Sequence, residues 1–175
     1  MTLNMTIKSL SLALIAVAAL SAAPAFAKTS TPDFVRKVAV ANKFEIDTSK
    51  VALDQSQDDG VKTFAQQMVD DHTKAGDAFT TALSSARTKA KAPDDLDKSH
   101  QALVDKLKAQ KAASFDTQYI KLQLSAHKDA VKLFSDYSKT GSDPSLKKFA
   151  ADTLPTLKEH LDHVTQLQKD YGAKK

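Results

Sequence analysis

The chain has 175 residues with no cysteine and no tryptophan, which excludes disulfides, thiolate metal sites and cysteine nucleophiles. Its 25 Lys and Arg against 21 Asp and Glu leave a formal net charge of +4. So small and evenly spread a charge excludes a nucleic-acid surface and reads as a solvated charged face, with mild affinity for an anionic envelope surface as the other option.

Residues 1–27 read as a secretory signal peptide. Lys8 supplies a positive start, Leu10 to Leu20 is apolar apart from Ser11, and Ala25-Phe26-Ala27 is a small-x-small cleavage pattern. The apolar run is shorter than the roughly 20 residues a membrane span needs. Cleavage after Ala27 predicts an exported chain, periplasmic or secreted, beginning at Lys28. Lys8 is the only charged residue removed, so the formal charge falls from +4 to +3. Residues 28–175 form a single domain by length.

The rest of the chain is helical in pattern, with glycine and proline at the seams. Thr31-Pro32-Asp33 reads as an N-cap with proline at the first helical position, opening a helix to about Ala52 that carries Phe34, Val38, Ala41, Glu45 and Ser49 on one stripe. Asp58-Asp59-Gly60 breaks the chain. A second helix to about Lys89 carries Val61, Phe64, Ala65, Met68, His72, Phe79 and Leu83. Pro93 sits in a loop. A short helix from about Leu96 bears His100, Leu103, Val104 and Leu107 and either stops or kinks into a long helix over about Ala113–Lys139, with Phe115, Tyr119, Ile120, Leu124, His127, Val131 and Phe134. Gly141-Ser142-Asp143-Pro144 ends that helix and caps the last one, which places Leu146, Phe149, Thr153, Leu157, His160, Val164 and Leu167 on its stripe and should bend at Pro155. No segment alternates as a strand does. Asp58 to Ala65 weakly repeats as Asp143 to Ala150, which suggests two paired hairpins and an all-α, four-helix bundle with a short extra helix.

The segment Phe64-Ala65-Gln66-Gln67-Met68-Val69-Asp70-Asp71-His72-Thr73-Lys74 resembles the most distinctive stretch of the secreted bacterial family known as domain of unknown function 4142. Leu96-Asp97 with His100-Gln101, Phe115-Asp116 with Tyr119, Thr153-Leu154-Pro155-Thr156-Leu157 with His160-Leu161, and Glu45 extend the resemblance over about residues 33–168. It implies a ferritin-like fold and export; the family's activity is undefined, and a role in envelope stress is suggested only by its general character. Ser125-Ala126 stands before His127 where the family usually has a carboxylate, and Ala112 where it has glycine.

Four histidines, His72, His100, His127 and His160, fall on apolar stripes of different helices. A di-iron bundle site needs Glu-x-x-His, but Val69, Leu124 and Leu157 stand three residues before His72, His127 and His160, so that signature is absent. Two readings stay open. In one, each histidine is a core residue bonded to a polar neighbour, with Asp70, Asp71, Asp97, Asp116 and Tyr119 as candidate partners; the protein is then a non-enzymatic binding or envelope-protection module. In the other, His72, His127 and His160, with Glu45 as the inward carboxylate, hold a transition metal such as zinc, copper or iron in a redox or storage role. Titration of the imidazoles as envelope acidity sensors is a third use of the same residues. Glu159 and His163 are spaced for a surface pair, and Lys74 is within reach of Asp70.

Overall fold

The computed structural model describes residues 28–173, so the signal-peptide expectation for 1–27 lies outside the described residues. Five helices make up the domain: α1 (Thr31–Gln55), α2 (Asp59–Ser84), α3 (Lys98–Lys108), α4 (Ala112–Thr140) and α5 (Pro144–Ala173). No strand occurs among the described residues.

Short links make α1–α2 and α4–α5 antiparallel hairpins, and these dock with α1 on α4 and α2 on α5. Thr31 meets Tyr137 and Ser49 meets Tyr119 through hydroxyl hydrogen bonds of 2.8 and 2.9 Å, so α1 and α4 also run antiparallel. Phe79 against Phe149 and Gln67 against His163 give the same sense for α2 and α5. It follows that α2 and α4 run parallel and must be joined by a long crossover. That crossover contains α3, which runs alongside α1, with His100 edge-on to Phe44 and Gln55 bonded to the Lys108 carbonyl. One crossover in an otherwise hairpin-linked bundle is the ferritin-like arrangement.

Caps explain where the helix ends depart from the sequence reading. Ser30, not Thr31, accepts from the Asp33 N–H, because the Thr31 hydroxyl is engaged by Tyr137 and Ser142. α1 continues to Gln55 rather than Ala52. α2 stops at Ser84 rather than near Lys89 because the Asp143 carboxylate takes the Arg87 N–H at 2.7 Å and draws the chain off the helix. α3 starts at Lys98 with Asp97 as its N-cap and ends at Lys108, separate from α4. α5 runs unbroken through Pro155, which lies on its exposed side. The internal repeat is realised in three dimensions: Asp58 and Asp143 each cap a helix through the N–H three residues on, at Val61 and Leu146. Val61, Phe64 and Ala65, and their counterparts Leu146, Phe149 and Ala150, are all buried.

The apolar core is split in two. One cluster gathers Val61, Phe64, Met68, Leu107, Phe115, Tyr119, Ile120 and Val164. The other, at the opposite end, gathers Phe34, Val38, Phe79, Phe134, Tyr137, Leu146, Phe149 and Leu157. Between them lie Glu45, Thr48, His72, Gln123, His127 and His160, all buried polar side chains. Burying so many polar groups at mid-height costs stability unless they are bonded, so the layer calls for an explanation beyond packing.

Candidate metal centre

Three helices each deliver one imidazole to this layer: His72 from α2, His127 from α4 and His160 from α5, all buried. Their ring centroids stand 5.8, 5.6 and 5.4 Å apart. One ring nitrogen from each lies within 4.8 Å of the others. Nitrogens bound to one ion at about 2.0–2.1 Å would stand roughly 3.3–4 Å apart, so at up to 4.8 Å these need close by only about an ångström to share one ion.

Each ring is held from behind. His72 Nδ1–H donates to Asn42 Oδ1 at 3.0 Å, His127 Nδ1–H to the Gln123 main-chain carbonyl at 3.0 Å, and His160 Nε2–H to Asp71 Oδ2 at 3.1 Å. All three partners are acceptors, so the bonded nitrogen of each neutral ring carries the proton and the other presents a lone pair. Those other nitrogens, His72 Nε2, His127 Nε2 and His160 Nδ1, are buried without a hydrogen-bond partner. Histidines that ligate metals are oriented in this way, through the nitrogen that does not touch the ion. Three ring nitrogens buried without a partner call for an explanation beyond packing. The donor set therefore fits a metal ion.

The electrostatics favour the neutral form of His72 and His160. Burial, with the neighbouring His127 and His160, pushes the His72 imidazolium down to about 3, against a smaller upward pull from Asp71. Burial also lowers His160, opposed by its bond to Asp71. Against the upward push of its partial burial, the hydrogen bonds from His160 and Lys74 hold the Asp71 carboxyl below its usual range. Neutral imidazole is the ligating form.

Glu45 is buried in the same layer but stands apart from the three donor nitrogens. Its Oε1 lies 3.9 Å from His127 Nδ1, the nitrogen already turned to Gln123, so it sits behind that ring. Burial raises its pKa, partly offset by His127 and Gln123. The other candidate polar residues serve elsewhere. His100 is half-exposed, its Nδ1 2.8 Å from its own cap residue Asp97. Tyr119 bonds Ser49, and burial raises its phenol. Asp116 accepts from Tyr171 at 3.2 Å. His163 pairs with Gln67 rather than Glu159, because it faces α2 across the helix seam. Lys74 pairs with Asp71 rather than Asp70, which instead accepts from Gln66.

Asn42, Gly76 and Gln123 carry roles that stripe reading misses. Asn42 orients His72, and Gly76 leaves room for it: a Cβ there would stand 3.0 Å from Asn42 Nδ2. Gln123, four residues before His127, bonds Thr48 with its side chain and His127 with its carbonyl. A polar residue one turn from a core histidine was the available signal. A groove of about 620 Å³ between α2 and α5, floored by Ala75, Ala78 and Ala82, opens to solvent with Asp71 among its lining residues.

The model of the domain of unknown function DUF4142 matches residues 16–167. The chain belongs to that family. No curated protein matches it. Solved structures share the fold of this DUF4142 chain. CopM in its Cu(II)-bound form aligns with a TM-score of 0.68 at 17% identity, covering 83% of this chain and 99% of CopM. A DUF305 fragment from Deinococcus radiodurans aligns with a TM-score of 0.68 at 14% identity, covering 82% and 99%. A DUF305 protein from Streptomyces coelicolor, described as secreted, gives 0.64 at 15% identity over 83% and 95%. Among the described residues of this DUF4142 protein, no helix is long and apolar enough to cross a membrane.

Proposed function

We propose that this protein binds one transition-metal ion per chain in the cell envelope, through His72, His127 and His160, and sequesters or delivers it. The observation that carries the reading is a trio of buried imidazoles that bring one nitrogen each within 4.8 Å of the others, with each ring braced through one nitrogen and its other nitrogen buried without a hydrogen-bond partner. Imidazole suits copper, zinc and iron, and copper stands highest in the affinity order. The fold shared with a Cu(II)-bound protein supports copper among these. A single three-donor site handles single ions and is unsuited to bulk storage. Glu45, behind His127, is left to shape the local field rather than to ligate. The groove beside Asp71 offers an ion a path toward His160. The signal-like residues 1–27 support an envelope or extracellular setting, where free metal needs handling.

The test is metal titration of untagged residues 28–175, purified without chelator, beside His127→Leu. The wild type is expected to bind one ion and the variant none. In the metal-free form the same variant should stay within about 1 kcal/mol of the wild type, since removing the unsatisfied Nε2 offsets the lost bond from Nδ1 to the Gln123 carbonyl. Loss of stability in His127→Leu with no metal bound by the wild type would make the histidines structural.

A further inference from the structure

Resting on the metal-binding reading, we propose that Asp71 is a positioning residue whose negative charge, acting through the His160 ring, sets how strongly the site holds a divalent ion. The three rings are braced unequally. His72 and His127 donate to neutral oxygens, the Asn42 amide and the Gln123 main-chain carbonyl, at 3.0 Å each. His160 instead donates to a carboxylate, Asp71 Oδ2, at 3.1 Å. Glu45 also brings a carboxylate to this layer, but its Oε1 stands 3.9 Å from His127 Nδ1, beyond hydrogen-bond reach, and that nitrogen is turned to Gln123.

The placement follows from the chain itself. Asp71 and His72 are consecutive on α2 and so point about 100° apart around it. The imidazole enters the polar layer while the carboxylate reaches across the seam to α5. One turn of α2 thereby supplies one ring and the brace of another. His160 is buried, whereas the Asp71 side chain is 26% exposed on the wall of the α2–α5 groove, where Lys74 Nζ meets its other oxygen at 3.2 Å. A carboxylate that accepts an imidazole N–H makes the opposite ring nitrogen a better donor. That opposite nitrogen, His160 Nδ1, is buried without a hydrogen-bond partner. The attraction between the carboxylate and an ion across the ring is proportional to the charge on the ion, so a divalent ion gains twice what monovalent copper gains.

The experiment measures two affinities on the untagged chain: zinc by competition with a chromophoric chelator, and Cu(I) by anaerobic competition with bicinchoninate. Wild type is compared with Asp71→Asn, which keeps an oxygen to accept the His160 proton and removes only the charge. The variant should weaken zinc by about ten- to a hundredfold, and Cu(I) by about the square root of that factor, because the Coulomb energy halves. The Cu(II)/Cu(I) potential of the copper-loaded chain should then rise by about 30–60 mV, from 59 mV for each tenfold difference. Lys74→Gln, at an exposed position, removes the counter-charge and should tighten zinc by about twofold. Unchanged zinc affinity in Asp71→Asn, equal losses of zinc and Cu(I), an unmoved potential, or weaker zinc binding in Lys74→Gln would overturn the role of Asp71 while leaving metal binding intact. Absence of both metals from the wild type would overturn the metal-binding reading as well.

Discussion

At the scale of single residues, the centre is a set of side chains whose preferred chemistry is withheld from them. Imidazole buried with one nitrogen bonded and the other bare is destabilising in the metal-free fold and becomes favourable only when something accepts the lone pair. The pH dependence follows from the same neutrality. His72 titrates near 3 in the fold against 6.5 when exposed, so between those values the unfolded chain binds more protons, and stability falls as pH drops through that window. His160 is shifted in the same sense. Asp71 adds stability that is present above its ordinary 3.8 and lost as pH falls through its lower folded value. Glu45 works oppositely: its folded pKa is raised, so its cost grows as pH rises through that value. The urea midpoint of the metal-free protein is thus expected to decline from about pH 6.5 toward 4, and His72→Leu should flatten that decline. An equal slope in the variant would place the acid sensitivity elsewhere.

At the scale of elements, the bundle is held in register by caps that reach across the chain. Asp143 caps α5 with Oδ1, which accepts from Ser145 and Leu146, while Oδ2 fastens the Arg87 N–H just after α2. One buried carboxylate therefore ends one helix and starts another. Asp143→Ala is expected to cost about 2–3 kcal/mol, more than an ordinary N-cap, because the Arg87 N–H loses its partner too. Chemical denaturation checks this, and a loss no larger than that of Asp58→Ala would show the second bond to be without weight. The doubled cap also explains why the sequence reading carried α2 too far: the residues after Ser84 are tolerable in a helix, and the interaction that ends it comes from a residue 56 positions away from Arg87. Helix starts were easier to read, since Asp58 and Asp97 act through N–H groups three residues on.

At the scale of the molecule, a bound ion would tie α2, α4 and α5 together, joining both hairpins. Metal is expected to raise the thermal midpoint by roughly 5–10 °C at a free concentration about 100 times Kd, reversibly on adding chelator. An unchanged midpoint under the same metal concentration would mean that the folded chain holds no ion that the unfolded chain does not hold equally well. The sequence by itself determined that the chain is helical, where its main breaks fall and that His72, His127 and His160 face inward, because helical periodicity and capping act over three or four residues; the family resemblance rested on motif segments such as Phe64 to Lys74. Only the tertiary structure decided that these three rings share one height, that Glu45 stands behind His127, that His100 is half-exposed beside Asp97, and that Asn42, Gln123 and Asp71 hold the rings from behind. Periodicity gives the face of a helix but not the axial offset between helices; that offset is set by how the two hairpins and the α3 crossover pack.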